Sequence, residues 1–299
     1  MRRDRDGRPI DERLQALDDV AERLRCPNCT AALSLAGNAL RCANGHSFDV
    51  AREGYVALAP PRRKLAGGDS PEMVAARETF LARGHYEAIA SEVARAANGP
   101  LARPTGDAPL AVELGAGTGY YLAALLSDRP TWRGVALDSS RPALRRATRS
   151  HPRVAAVLCD VWQELPICDA CAEIVLNVFA PRNAAEIARV LAPGGTVVIV
   201  TPAPTHLHEL VDKLGLLDVG ADKQARLRAA LAPGLEPVAA VELELKLELD
   251  RDDVRTLVWM GPSARHLSPA ALDERIARLA PRTSVGASVV IESYRASAG

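Results

Sequence analysis

A chain of 299 residues has room for one large domain and a smaller one. Hydrophobic content of 48% with 25% charged residues argues against wholesale disorder, a collagen-like fibre or a membrane bundle, and no apolar run approaches the roughly 20 residues of a membrane span. Thirty-seven basic residues balance 37 acidic ones, so any nucleic-acid contact must come from a local basic patch rather than from the molecule as a whole.

The opening MRRDRDGRPIDERLQ carries charges of both signs and no apolar core, so it does not read as a secretory signal, and a cytoplasmic location is expected. Ile10, Leu14, Leu17, Val20, Ala21 and Leu24 mostly fall three or four residues apart, which predicts one amphipathic helix packed on its own protein. Next, LRCPNCTAALSLAGNALRCANGHSFDV places three of the six cysteines and a histidine in the pattern C-x2-C-x12-C-x3-H. In a reducing compartment clustered cysteines are metal or redox groups rather than disulfides. Thiolates and imidazole suit Zn(II), and Pro27, Asn28, Asn44 and Gly45 supply the turns that let each pair grip one ion. Cys26, Cys29, Cys42 and His46 fill all four positions, which makes the expected site structural, a substitute for the core so short a segment cannot build. A second pair, Cys168 and Cys171, could join Cys26 and Cys29 in a four-cysteine site or act as a redox pair. It is expected instead in an exposed loop before a strand, because Cys42 and His46 complete the first site locally.

The Pro/Gly-rich basic run PPRRKLAGGDSP reads as a domain boundary. The expected division is a helical extension over 1–25, a zinc module over 26–60, a linker over 61–70 and a large α/β domain over 71–299. Ser70 as N-cap and Pro71 at the first helical position open a helix through EMVAARETFLARG, and a second runs from about Tyr86 to Ala97. Then LAVEL, RGVALD, VAAVL, EIVLNV and TVVIVT alternate with helices or loops of crossover length, the pattern of a doubly wound parallel sheet. VAAVELELKLELD alternates with period two, and TSVGASVVIESYRA gives a last strand.

The first of these strands runs into Glu113-Leu114-Gly115-Ala116-Gly117-Thr118-Gly119, where glycines allow close backbone approach to a ligand at the carboxyl edge of the sheet. The spacing G-x-G-x-G departs from the G-x-G-x-x-G of dinucleotide folds. Asp138 ends the second strand, placed to accept ribose hydroxyls; Asp160 ends the third, placed to meet an adenine amine; LAPGG turns the chain into the fifth. Together these resemble the class I S-adenosylmethionine-dependent methyltransferases, which implies a Rossmann-like, mostly parallel seven-stranded sheet. Methyl transfer from a sulfonium is an in-line displacement, so the protein mainly aligns donor and acceptor, excludes water and deprotonates the acceptor where required. In LNVFAPRN, at the end of the fourth strand, Asn177, Phe179, Ala180 and Pro181 resemble the loop by which amino-group methyltransferases grip a planar acceptor; a plain strand-end turn is the other reading.

Beyond the fold class, CPNC with CANGHSFDVAREGYVALAP, GDSPEMVAARETFLARGHYEAIA, ELGAGTGYY, NVFAPRN and TPAPTHLHEL resemble the RlmA/TlrB family of 23S rRNA (guanine-N1)-methyltransferases from about Leu24 onward. The VFAPRN form and the VALAPPRRKLAGGD stretch resemble the TlrB branch, associated with tylosin and mycinamicin resistance, more than the housekeeping branch. The resemblance implies methylation at N1 of a guanine in hairpin thirty-five of 23S rRNA, near the macrolide site of the peptide exit tunnel. It implies Cys26, Cys29, Cys42 and His46 as zinc ligands and Tyr86, Gly117, Thr118 and His206 as S-adenosylmethionine contacts. Glu113, Gly115, Gly119, Asp138 and Asp160 are added from the fold class, with Glu113 standing where many members have Asp. No catalytic base comes with the resemblance; Asn177 and Phe179 are the candidates for the acceptor loop. The implied partner is 23S rRNA, with no membrane and with a homodimer left open. Arg41 and Arg52 on the zinc module, with Arg62, Arg63 and Lys64 in the linker, supply local positive charge for RNA. Two competing readings are a small-molecule methyltransferase that decorates an antibiotic, which needs neither zinc module nor basic linker, and an inactive zinc-dependent RNA-binding protein, against which the intact glycine and carboxylate set argues.

Overall fold

The computed structural model describes residues 11–59, 68–98, 108–216 and 223–296. Its first segment is not the single helix that the apolar spacing predicts. A 3-10 turn (Glu12–Leu14) leads into α1 (Gln15–Val20) and a second 3-10 turn (Ala21–Arg23). The tighter turns re-aim the apolar positions, so that Leu14, Leu17, Val20, Ala21 and Leu24 all bury. Ile10 lies outside the described residues.

Strands β1 (Leu33–Ala36), β2 (Ala39–Cys42) and β3 (Ser47–Asp49) form a small antiparallel sheet. The first hairpin closes through Gly37 at φ +60°, a conformation that favours glycine. Next, β4 (Val56–Ala57) is only two residues long. Helix α2 (Pro71–Ala82) starts as predicted, with the Ser70 hydroxyl accepting from the Met73 N–H at 3.3 Å, and α3 (Glu87–Ala96) follows. The large sheet then develops through β5 (Leu110–Leu114), α4 (Tyr120–Ser127), β6 (Arg133–Asp138), α5 (Arg141–Ser150), β7 (Val154–Leu158), β8 (Ala172–Val178), α6 (Ala184–Val190) and β9 (Leu191–Pro202). It is completed by α7 (His208–Leu214), α8 (Lys223–Leu231), β10 (Leu235–Asp250), α9 (Arg251–Trp259), α10 (Pro269–Ala277) and β11 (Arg282–Ala296).

The sheet order is β10-β11-β9-β8-β5-β6-β7-β4, with β11 antiparallel to both its neighbours. Seven of these strands make the expected Rossmann-like sheet. The eighth was not expected: Val56 and Ala57 pair in parallel with Val157 and Leu158, so the zinc module extends the edge of the large sheet. The order reverses around β5, which has β6 on one side and β8 on the other, and open α/β sheets bind ligands at the carboxyl edge of such a switch point.

Along β5, Ala111 buries in one core cluster while Leu110, Val112 and Leu114 bury in another, the two faces of one sheet. Helices α3, α4, α5 and α9 cover the first face. On the second, Leu17 and Val20 of the opening segment and Leu33, Leu35 and Leu40 of the zinc module pack in one cluster with Val135, Leu137, Ala155 and Val157. Those N-terminal side chains therefore share the second face with Ile187 and Val190 of α6 and Leu227 and Leu231 of α8.

Two local expectations are revised. LAPGG is a wide bulge inside β9 rather than a turn before it: Leu191 pairs with Ala172 and Thr196 with Ile174, and Gly194 takes φ +75° between them. Cys168 and Cys171 are half-buried, not in an exposed loop, because they sit under the second 3-10 turn, their thiols 3.5 Å from the Glu22 carbonyl and 3.9 Å from that of Arg23. Burial pushes the Cys171 thiol up to about 12, so it stays protonated. No helix among the described residues is long and apolar enough to cross a membrane.

Candidate functional site

The four predicted metal ligands converge. Backbone bonds close both turns, Thr30 N–H to Cys26 carbonyl at 2.9 Å and Gly45 N–H to Cys42 carbonyl at 3.1 Å, with Thr30 and Gly45 at positive φ. The four donor atoms lie within 4.8 Å of one another. Cys29 Sγ is 3.7 Å from Cys42 Sγ, and His46 Nδ1 is 3.6 Å from Cys26 Sγ and 3.4 Å from Cys42 Sγ. A tetrahedral zinc with bonds of about 2.3 Å to sulfur and about 2.05 Å to nitrogen would need edges of about 3.8 and 3.6 Å. The donor set and its spacing therefore fit zinc. Burial pushes the bare Cys26 thiol up to about 11, whereas the Ala31 N–H and Asn44 side chain pull Cys29 down to about 6. A bound zinc would favour the thiolate at all three. Cys168 and Cys171 are not members of this cluster.

A cavity of about 760 Å³ opens at the carboxyl edge of the sheet. Its floor is the glycine loop, where Gly115, Gly117 and Gly119 all have positive φ. A Cβ on Gly115 would stand 2.6 Å from the Ala180 Cβ, so this loop and the one after β8 touch, and only glycine permits the contact. Asp138 accepts from the Gly117 N–H at 2.8 Å and the Ser140 N–H at 2.7 Å, and burial outweighs both bonds, leaving its carboxyl above the usual range. Glu113 is fully enclosed and accepts from the Leu122 N–H at 3.1 Å; burial pushes it up to about 8. Both acids and Thr118 line the cavity.

Two residues from the sequence reading stand elsewhere. Gly119 does not line the cavity; it is the N-cap of α4 at φ +78°, where a Cβ would meet the Ser150 hydroxyl at 2.6 Å. Asp160 turns one carboxylate oxygen back on the Trp162 N–H at 3.0 Å, and its neighbour Val161 lines the cavity instead.

At the far end three rings gather: Phe179 lies 6.1 Å from Tyr86 and 6.0 Å from His206, centroid to centroid. Burial raises the Tyr86 phenol, so it stays neutral. His206 Nδ1 donates to the Ser288 carbonyl at 2.9 Å, which fixes the orientation of the ring. Phe179 is held at φ +52°, rare for a non-glycine residue, and remains 40% exposed. Asn177 is fully buried outside the cavity lining, its Nδ2 donating to the Pro181 carbonyl at 2.8 Å. It shapes the loop rather than facing an acceptor, because its position in β8 points it beneath the turn.

The sequence reading missed the opposite wall. Arg77 of α2 donates to Asp69 and, at 2.7 Å, to the Met260 carbonyl, while the Ser140 hydroxyl donates to the Asp69 carbonyl at 2.7 Å. These bonds fasten the end of the basic linker across the glycine loop to the turn after α9. The one available signal was the eight-residue spacing of Asp69 and Arg77 in the GDSPEMVAARETFLARGHY stretch. Arg182 of the loop after β8 also lines the cavity, with burial lowering its guanidinium. Of the RNA candidates, Arg41 and Arg52 are exposed on the zinc module, and Arg62, Arg63 and Lys64 lie outside the described residues.

Residues 24–66 match the family model for the RlmA N-terminal zinc ribbon, and residues 111–195 match a methyltransferase domain model. A Micromonospora griseorubida protein assigned as a 23S rRNA (guanine-N(1)-)-methyltransferase is 47% identical over 93% of this chain and 98% of its own length. The 23S rRNA (guanine(748)-N(1))-methyltransferase of Streptomyces fradiae is 47% identical over 87% of this chain and 92% of its own. Similarity extends at 28% identity to YxjB of Bacillus subtilis, assigned to the same activity, over 62% of this chain and 66% of that one.

Proposed function

The chain belongs to the family of 23S rRNA (guanine-N1)-methyltransferases, and from that membership we propose that it methylates N1 of a guanine in 23S rRNA, with S-adenosylmethionine as donor and one structural zinc. The near full-length identity to the Micromonospora and Streptomyces relatives carries this reading. The position named for the Streptomyces protein, guanine 748, is the expected target, in hairpin thirty-five by the macrolide site, and resistance to tylosin- or mycinamicin-type macrolides is the expected consequence. We place its action in the cytoplasm, with its rRNA substrate.

The division we assign is an N-terminal extension over 1–25, the zinc module over 26–60, a linker over 61–70 and the methyltransferase domain over 71–299. Cys26, Cys29, Cys42 and His46 hold the zinc. Glu113, Gly115, Gly117, Thr118, Asp138, Tyr86 and His206 would hold the cofactor, and Asp138 would accept its ribose hydroxyls through charge-assisted bonds. When bound, the cofactor supplies an electrophilic methyl on a sulfonium. Guanine N1 carries a proton at neutral pH and normally lies inside a base pair, so the base must be extracted and the proton lost. Phe179 stacks on the extracted base, held in place by the Asn177-braced loop. Leu257 and Val258 of α9 help line the cavity and keep water from it.

The zinc module packs on the sheet, so its presence alone does not select RNA over a small acceptor. Mapping N1-methylguanine in 23S rRNA from cells with and without the gene tests the proposal directly. A modified guanine that disappears with the gene is expected; an unchanged rRNA together with a methylated macrolide would replace it with the antibiotic-tailoring reading.

A further inference from the structure

Trp162 is 60% exposed, and Phe179 and Val238 are the other exposed large hydrophobic residues among the described residues. Val238 is on the far edge strand β10. Trp162 and Phe179 both stand at the carboxyl edge, in the loops that follow the parallel strands β7 and β8. The exposed aromatic surface of this protein thus lies on the edge that carries the cavity.

The backbone under Trp162 is fixed from both sides. Its N–H donates to Asp160 Oδ1 at 3.0 Å, and its carbonyl accepts from Asn183 Nδ2 at 3.2 Å. Asn183 follows directly on the Phe179 loop and caps α6, so Trp162 is tied to the acceptor loop. On its other side β7 pairs with β4 of the zinc module, and the Leu58 N–H continues that ladder to the Leu158 carbonyl at 3.0 Å. Trp162 therefore follows the strand that pairs with the zinc module and is tied to the loop that bears Phe179. Val161 lines the cavity and Trp162 does not, so the indole faces outward rather than onto the cofactor. The acids beside it are engaged: Asp160 by the Trp162 N–H, and Glu164 by Arg25 at 2.9 Å.

An exposed indole on an immobilised backbone costs solvation and contributes nothing to the core, and its flat face matches a nucleobase, which stacks on aromatic rings regardless of sequence. We propose that Trp162 is a stacking platform for an unpaired base of the substrate RNA, beside the loop that bears Phe179. The inference rests on the rRNA-methyltransferase reading. Trp162 holds the strand that flanks the extracted guanine, and Phe179 holds the guanine itself.

The test uses the full chain with zinc and a 23S rRNA hairpin transcript. Trp162→Ala should weaken RNA binding by about 5- to 100-fold with an unchanged salt slope, because no charge is removed. Its S-adenosylmethionine affinity should match wild type. Trp162→Phe should keep most of the RNA affinity but lose the fluorescence quenching that RNA causes in the wild type, since Trp132 is buried and Trp259 half-buried. Wild-type RNA affinity in Trp162→Ala overturns the inference, as does a parallel loss of cofactor affinity, which would assign the indole to the adenine pocket. A wild-type protein that neither binds nor methylates the hairpin would instead fail the underlying reading and take this inference with it.

Discussion

Glu113 should make the cofactor-free protein lose stability as pH rises through neutrality. Its carboxyl is enclosed, and burial pushes its pKa from 4.5 to about 8; the Leu122 N–H opposes the rise and the charge of Asp138 adds to it. In the unfolded chain the group returns to its ordinary value. Between the two values the native state holds a proton that the unfolded state has released, so unfolding becomes easier as pH increases. At 1.36 kcal/mol per pH unit the full effect is roughly 5 kcal/mol, of which about 3 kcal/mol falls between pH 5 and pH 8. Glu113→Gln keeps an acceptor for Leu122 and removes the ionisation. Urea unfolding of both proteins at pH 5 and pH 8, without cofactor, should show the wild type losing about 3 kcal/mol relative to the variant. Parallel profiles, within about 1 kcal/mol, would mean that Glu113 is ionised in the native state and that its enclosure is compensated by a partner. If the carboxyl is neutral before binding, the cationic cofactor should expel its proton. Calorimetry in buffers of different ionisation heat would detect that release, and Glu113→Gln would abolish it.

Metal analysis should find about one zinc per chain, retained in Cys168→Ser/Cys171→Ser and lost in Cys29→Ser/Cys42→Ser; the reverse would move the site. Asp138→Ala should lower S-adenosylmethionine affinity by tenfold or more with the fold intact, since it removes a charge-assisted acceptor, and unchanged calorimetric affinity would remove Asp138 from the site. Phe179→Ala should slow rRNA methylation roughly 10- to 100-fold while cofactor affinity stays near wild type; methylation at the wild-type rate would leave that loop a turn. Gly115→Ala should reduce both cofactor binding and turnover, because the new methyl collides with Ala180; full activity would show that the loop after β8 can retreat.

What could be read in the sequence is what repeats. The parallel strands carry unbroken apolar runs, the glycine loop and the acids at strand ends have fixed positions, and the metal ligands keep their spacing. The pairing of β4 with β7 was hidden because two residues carry no periodic signal and the partner strand is remote in sequence. Asn177 and Phe179 were chosen together from one loop, yet Asn177 belongs to β8, a strand buried along its whole length, while a left-handed backbone turns Phe179 outward. Arg77 and Asp69 were passed over for a different reason. Their role arises from one ion pair between α2 and the residue two places before its start, and an acid ahead of a helix with a base within it reads from sequence as solvated surface.

The strand that joins module to sheet also imposes an order on assembly during synthesis. Val56 and Ala57 leave the ribosome roughly a hundred residues before Val157 and Leu158, their partners in the large sheet. In that interval the ribbon can close around its metal, but Leu17, Val20, Leu33 and Leu35 have no sheet to cover. A chain synthesised without zinc would present this apolar surface with its hairpins unpinned, which favours association between nascent chains over folding. Zinc supply during translation should therefore limit the yield of soluble enzyme more strongly than zinc removal limits the finished protein.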